Sequence, residues 1–385
     1  MTSATTDTTA DTATTPQRFS PLHQVHVAAG AAFTDFAGWQ MPVRYSSDLA
    51  EHHAVRTAAG LFDLSHMAEI TVTGADAGAY LDYALAGKLS AIELLQAKYS
   101  LLLNEGGGII DDVVVYRTGE NDYLVVANAG NRHHAVEALA ARATRFDVTV
   151  RDTSDEIALI AVQGPHSKAI LEATPGLVVG GDLSALKYYR AMNATFKDAS
   201  VFVARTGYTG EDGFELYVDA AHAVALWDAL ALAGSPHGLV PAGLASRDTL
   251  RLEAGMPLYG HELTTTTYPA QTGLGRVVNL AKETDFVGRA ASEEGPSAEA
   301  PVLVGLVSAG KRAGRAGYPV FRSAEAEASE GEVTSGALSP TLGHPIMMAY
   351  VAPALARLGT EVFVDVRGTR IPATVTSLPF YQRQK

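Results

Sequence analysis

Residues 123–127 (YLVVA) run into NAGNRHHAVEALAARA at 128–143, and residues 213–218 (GFELYV) run into DAAHAVALWDALALAG at 219–234. Each pair reads as a strand, a turn and a helix: an unbroken β-type run, a polar residue placed to cap, then apolar positions three and four apart. Asn131 is the capping candidate in the first stretch, where Val136, Leu139 and Ala140 share a face; Asp219 serves in the second, with Val224, Trp227, Leu230 and Ala231. A further strand-like run precedes each, IIDDVVVY at 109–116 and ASVFVARTG at 199–207. This recurrence predicts two related α+β subdomains.

Beyond them, the Ser-, Glu-, Ala- and Pro-rich residues 291–301 read as a linker, and the pattern then turns to strands separated by glycine-rich turns. LVGLV, YPVF, EVTSG, MMAYV, EVFVDVR and IPATVTSL predict a C-terminal β-barrel or sandwich, with Gly368-Thr369 as a hairpin turn and the acidic run at 323–332 as a solvated loop. The Thr-rich residues 1–16 contain no Arg, Lys or apolar core and read as a disordered tail, neither a secretory signal nor a transit peptide. The expected division is therefore a tail at 1–16, a two-subdomain module at 17–290 and a barrel at 301–385.

The 385 residues carry 29 Lys plus Arg against 42 Asp plus Glu, a net charge of −13, which argues against a nucleic acid or an anionic membrane as partner. With no cysteine, disulfides, zinc–thiolate sites, iron–sulfur clusters and thiol nucleophiles are excluded together. No apolar run approaches the roughly 20 residues of a membrane span, and the chain reads as a cytoplasmic bacterial protein. Gly87-Lys88 lacks the first glycine of a phosphate loop, Gly273-Leu274-Gly275 lacks the third of a dinucleotide fingerprint, and His261-Glu262 lacks the second histidine of a zinc protease. No serine stands in a nucleophile elbow.

Chemistry is instead suggested by polar residues set in apolar or glycine-rich segments. In GGGIIDDVVVY, alternation sends Asp111 and Asp112 to opposite faces, so at least one carboxylate must meet a packed interior or a cleft. A turn-adjacent aspartate bonding backbone amides is the plainer reading of the same residues. RTGYTGEDGFEL spaces glycines at 207, 210 and 213, as a tight hairpin would, with Glu211 and Asp212 at an exposed tip. GLASRDTLRLEAG reads as a helix over 244–254 ended by Gly255; Arg247 and Arg251 share a face, as an anion site or as an ion-pair network with Asp248 and Glu253. Trp39, Met41, His66 and Met67 lie in short apolar segments, where core packing is the default.

Taken in order, DFAGWQMPVRY, FDLSHM, KYSLLLNEGGGIIDDVVVY, YLVVANAGN, RTGYTGEDGFEL, GLASRDTLRLEAGMPLYGHEL, TSGALSPTLG and a closing PFY resemble the aminomethyltransferase, or T-protein, family of the glycine cleavage system over residues 20–381. The resemblance implies a three-domain cloverleaf around a central tetrahydrofolate pocket, with no metal. It also implies that an aminomethyl group carried on the lipoyl arm of the H-protein is split into ammonia, reduced carrier and 5,10-methylenetetrahydrofolate. Asp112 matches the family's essential carboxylate, and Glu211 and Arg247 its folate-site residues. Tyr99, Asn128 and Met67 match pocket-lining positions, and Tyr381 a tyrosine that reaches the folate. The Thr-rich tail and the ASR run before Asp248 depart from the family pattern. Because the carrier is acidic in this family, the densest basic cluster, Lys311, Arg312 and Arg315, is the expected landing area, and the protein is expected to be a monomer.

The nearest alternative is a stand-alone tetrahydrofolate-dependent demethylase of the same fold. A non-enzymatic folate-binding helper of iron–sulfur assembly would need a cysteine where MPLYGHEL lies, and there is none.

Overall fold

The computed structural model describes residues 17–383; the tail expected at 1–16 lies outside the described residues. An N-terminal segment comprises β1 (Arg18–Phe19), α1 (His23–Ala28), β2 (Ala32–Phe36), β3 (Trp39–Arg44), α2 (Asp48–Thr57) and β4 (Ala59–Asp63). The first subdomain follows as β5 (Ala68–Thr73), α3 (Ala77–Ala84), β6 (Ala97–Leu103), β7 (Ile109–Arg117), β8 (Asp122–Ala127), α4 (Arg132–Arg142) and β9 (Thr149–Asp152). The second is β10 (Ile157–Gln163), α5 (Ser167–Ala173), β11 (Leu177–Val179), β12 (Ala191–Phe196), β13 (Ala199–Ala204), β14 (Gly213–Asp219), α6 (Ala223–Gly234) and β15 (Leu239–Pro241). Helix α7 (Leu244–Glu253) and a loop-rich stretch with the short α8 (Arg289–Glu294) lead to the barrel. Its strands are β16 (Val302–Ser308), β17 (Pro319–Phe321), β18 (Gly331–Leu338), β19 (Pro345–Val351), β20 (Glu361–Val366) and β21 (Thr369–Thr376), closed in the order β16-β19-β18-β17-β20-β21.

The expected duplication is real and extends further than the two strand–helix stretches. One sheet runs β6-β7-β8-β5-β9; the other runs β11-β12-β13-β14-β10-β4-β15 and borrows β4 from the N-terminal segment. After the first strand of each unit stands a glycine in the same backbone state, Gly74 at φ 134° and Gly164 at φ 133°, where a Cβ would lie 2.3 Å from the Asp147 carbonyl oxygen and 2.5 Å from that of Ala58, respectively. The units meet about a local two-fold. Leu95 and Tyr189 both take positive φ, of 59° and 62°, and flank an antiparallel bridge of Gln96 with Arg190. The Ala97 amide donates to the Tyr189 carbonyl at 2.9 Å, and the Ala191 amide donates to the Leu95 carbonyl at 2.8 Å.

Alternation divides the strand side chains between two environments. Val113 and Val115 of β7 pack with Leu81 of α3 and Leu139 of α4, and Phe214 and Leu216 of β14 pack with Ile170 of α5 and Trp227 of α6. The opposite faces turn toward each other, where Tyr116, Val126, Leu159 and Tyr217 share one cluster with Leu250 of α7. The barrel has its own core around Val333, Met347 and Val364 and leans on α7 through Leu252, Ile346 and Met348.

Four details differ from the sequence reading. Val224 is exposed, because α6 presents Ala223, Leu226, Trp227 and Leu230 to the core. Asn131 makes no capping bond to α4; its amide is drawn to the IIDD segment instead. The expected linker begins inside α8, which an Arg289 to Glu293 pair at 2.8 Å supports one turn apart. The barrel hairpin turns one residue earlier than expected, through Arg367-Gly368, both at positive φ, with Val366 opposite Thr369. Among the described residues, no helix is long and apolar enough to cross a membrane.

Candidate functional site

The facing sides of the two sheets, α7 and the loop after it enclose a cavity of about 730 Å³. Alternation along β7 puts Asp112, Val114 and Tyr116 on its wall, and alternation along β14 puts Glu215 and Tyr217 there. The wall is mostly apolar, so the few charged groups on it stand out.

Asp112 is held from two sides. The Tyr99 hydroxyl donates to its Oδ2 at 2.9 Å, and the Asn128 amide donates to its Oδ1 at 2.8 Å. The same amide nitrogen lies 2.8 Å from Asp111 Oδ1, so the two carboxylate oxygens are at most twice that, about 5.6 Å, apart. Two full charges at such a separation repel by about 3 kcal/mol at an effective dielectric of about 20. Burial pushes both carboxyls above the ordinary aspartate value; the charge of Asp112 adds to the rise at Asp111, while the donors Tyr99, Asn128 and Asn131 oppose it. Asp112 is therefore a half-buried carboxylate with raised proton affinity, presented to a cavity.

Arg247 projects from α7 into the same space. Its guanidinium carbon lies 4.8 Å from the centre of the Tyr208 ring, and among the described residues no carboxylate pairs with it. Burial lowers its proton affinity. Arg251, one turn on, is by contrast consumed: it pairs with Asp248 at 2.8 Å and Glu262 at 3.1 Å, and donates to Ser335 of the barrel at 2.8 Å. The sequence left open whether the two arginines form an ion-pair network or an anion site; the structure commits Arg251 to a network and leaves Arg247 without a carboxylate partner among the described residues.

Met67 also lines the cavity, as does His66, which was expected in the core; burial drives the His66 imidazole down to about 4, and its Nδ1 has no hydrogen-bond partner among the described residues. Of the expected site residues, Asp112, Arg247, Tyr99, Asn128 and Met67 thus meet in one cavity.

Glu211 and Tyr381 do not line it. Glu211, far from an exposed hairpin tip, is buried against Arg56 at 3.0 Å, and the Arg56 guanidinium also takes Glu253 at 2.7 Å. The Tyr381 ring stacks on that guanidinium at 4.1 Å. Arg56 is a buried cation at the seam of α2, α7 and the C-terminal segment, and Glu211 is needed to neutralise it. Asp212 is likewise committed, to Arg205 at 2.6 Å. The acidic residue of this region that faces the cavity is Glu215, four positions on. Its carboxylate accepts from the Thr206 hydroxyl, Tyr116 lies beside it, and burial raises its proton affinity. The alternation that singles out Asp112 in IIDDVVVY also singles out Glu215 in GFELYV, but the neighbouring TGED drew the reading to itself.

Comparison with known proteins places these residues in context. Residues 22–282 match the family profile described as the GCVT N-terminal domain, and residues 302–382 match that of the glycine cleavage T-protein C-terminal barrel domain. An aminomethyltransferase of Cutibacterium acnes is 56% identical over 373 residues, covering 96% of this chain and 100% of its own. One from Streptomyces avermitilis is 55% identical and covers 96% and 98%. The crystal structure of the glycine cleavage system aminomethyltransferase T from Bartonella henselae superposes with a TM-score of 0.86 at 37% identity, covering 95% of this chain and 98% of that one.

Proposed function

Because the chain belongs to the aminomethyltransferase, or T-protein, family of the glycine cleavage system, we propose that its cavity takes tetrahydrofolate and meets there the aminomethyl group on the lipoyl arm of a carrier protein. The enzyme is a transferase of this class. The observation that carries the reading is Asp112, a half-buried carboxylate presented to an otherwise largely apolar cavity.

The chemistry replaces both the amine and the sulfur on one carbon. A folate nitrogen bonds to the aminomethyl carbon as ammonia leaves; a second folate nitrogen then closes the ring as the carrier thiol leaves. Each folate nitrogen loses a proton, and ammonia and the thiol each gain one. Asp112 suits the exchange in two ways: it can accept the proton of the attacking nitrogen, and its negative charge stabilises the folate iminium cation formed as the carrier thiol departs. Tyr99 and Asn128 fix its direction. Glu215, in the place first given to Glu211, offers a carboxylate to the N–H groups of the pterin, and Arg247 meets electron-rich oxygen. Met67 supplies a soft apolar contact, and Tyr381 stands outside the cavity at the Arg56 seam.

The carrier is guided by Lys311, Arg312 and Arg315, all exposed on the loop before β17. Lys311 and Arg315 are steadied by the Gly343 and Gly336 carbonyls at 3.0 and 2.9 Å. β18, whose Ser335 touches Arg251, ties this loop to the cavity wall. The divisions at 17–290 and 301–385 give the folate site and the barrel separate duties.

Purified protein mixed with tetrahydrofolate and aminomethylated lipoyl carrier should form methylenetetrahydrofolate, and Asp112→Asn should abolish the product. Folate binding without carrier-dependent product would overturn the reading. Reversing the charge of all three basic residues should weaken carrier-dependent turnover and flatten its salt dependence.

A further inference from the structure

The first aspartate of the IIDD segment has a defined environment that the reaction above leaves unused. Asp111 is fully buried on the helix-covered side of β7. Three N–H groups donate to it: the Asn128 backbone to Oδ2 at 2.9 Å, the Asn128 side-chain amide to Oδ1 at 2.8 Å, and the Asn131 amide to Oδ1 at 2.9 Å. All three partners are donors, and among the described residues none is an acceptor for a carboxylic O–H. A protonated Asp111 would bury an unpaired hydroxyl here, whereas an ionised one satisfies every partner.

The Asn128 amide has two hydrogens and is used on both sides, one toward Asp111 and one toward Asp112. Asp111 therefore decides which way that amide points. Reversing the amide would bring its oxygen against two carboxylates. Asn131 is anchored in turn by the Ile110 carbonyl at 3.1 Å, which explains why it does not cap α4.

We propose that Asp111 is a positioning residue: a carboxylate that aims the Asn128 amide at Asp112 and, when ionised, makes Asp112 a stronger proton acceptor through its charge. This rests on the assignment of Asp112 as the working carboxylate. The groups facing the pair from the surrounding elements are Tyr99 on β6, Asn128 and Asn131 before α4, Tyr208 in the loop before β14, Tyr189 before β12, and Tyr259 after α7. None of these carries a positive charge; Arg247, over the Tyr208 ring, lines the same cavity, and among the described residues no ion pair joins it to Asp112. A positively charged partner for Asp112 would hold it ionised across the whole working range; a second anion instead brings its proton exchange toward neutral pH, where a general base is most useful.

The test follows Asp112 itself and needs no substrate. Protein labelled with carbon-13 at the aspartate carboxyl is titrated by NMR, the Asp112 signal being assigned by its loss in Asp112→Asn. Asp111→Asn should move the Asp112 midpoint to lower pH by about one to two units, the shift expected for removing a charge at this distance. A midpoint that stays within about 0.3 units, or moves up, overturns the proposal and leaves Asp111 a purely structural residue. Should Asp111→Asn not fold, Asn131→Ala keeps both carboxylates and removes one donor that holds Asp111 ionised. It should shift the midpoint in the same direction by a smaller amount, and no shift overturns the proposal equally. In turnover assays the acid side of the kcat profile should follow the NMR shift while KM for tetrahydrofolate stays within about two-fold. If the wild type titrates as described but makes no product, the functional reading fails and the positioning of Asp112 stands.

Discussion

Tyr99 and Asp112 stand on neighbouring strands and are joined by a hydrogen bond of 2.9 Å from the phenol to the carboxylate. The phenol favours the ionised form of Asp112, opposing the burial that favours the protonated one. Tyr99→Phe removes that support at little cost in volume. The Asp112 carboxyl should rise further, and the acid side of the kcat profile should move to higher pH by about one unit. A pH–rate profile with the isolated variant decides this, and a shift to lower pH would contradict the arrangement.

Arg247 has no carboxylate partner among the described residues and sits over the Tyr208 ring. Its charge is therefore available to a ligand. Arg247→Met should weaken tetrahydrofolate binding by about 10- to 100-fold, the loss of a hydrogen bond to a charged group. Calorimetric titration of folate into the wild type and the variant measures it. An unchanged affinity would mean that the guanidinium is not used in binding.

Glu211 and Glu215 are four residues apart and have opposite duties. Glu211→Gln leaves Arg56 with Glu253 alone, and should cost about 1 to 3 kcal/mol of stability while folate affinity is kept. Glu215→Gln should do the reverse, lowering folate affinity about ten-fold with little change in melting temperature. Chemical denaturation and folate titration of both variants separate the two roles.

Glu69 on β5 is buried with neither carboxyl oxygen hydrogen-bonded among the described residues, and desolvation lifts it well above the ordinary glutamate value. A carboxyl with a raised value in the folded state opposes folding as pH climbs above the unfolded value, because the unfolded chain ionises it freely and the folded one does not. Glu69→Leu, similar in size, should raise the melting temperature, and its advantage should widen between pH 4.5 and 8. Calorimetry at several pH values checks this; a constant difference would point to packing alone.

Much of the fold was legible because alternation and capping are local. IIDDVVVY and GFELYV became central strands, and Leu244–Glu253 a helix ended by Gly255 at φ 67°, as their patterns required. The six barrel strands were also visible, each a β-type run bounded by glycine. What stayed hidden depends on partners distant in sequence. Nothing near Glu211 announces Arg56, 155 residues away, yet that pairing takes Glu211 out of the cavity. Nothing in AGLFD tells that β4 will leave its own segment to pair with β10 and β15 of the second subdomain. The fate of Arg251 was likewise set by Glu262 and by a serine in the barrel. Asn131 could be seen as a polar residue before a helix, but which of two hydrogen-bonding roles it would take depended on a strand twenty residues earlier.

The seam beside α7 carries a consequence for truncation. The Tyr381 amide donates to the Glu253 carbonyl at 2.8 Å, its ring lies on Arg56, and Leu378 and Pro379 close against Gly255 on the cavity wall. These contacts come from residues far along the chain from Asp112 and from α7. The helix that carries Arg247 is thus braced by a segment distant from it in sequence. A product cut off at residue 377 would keep every side chain that lines the cavity and still lack the clasp on one of its walls. Residues 378–381, none of which lines the cavity, thereby brace one of its walls.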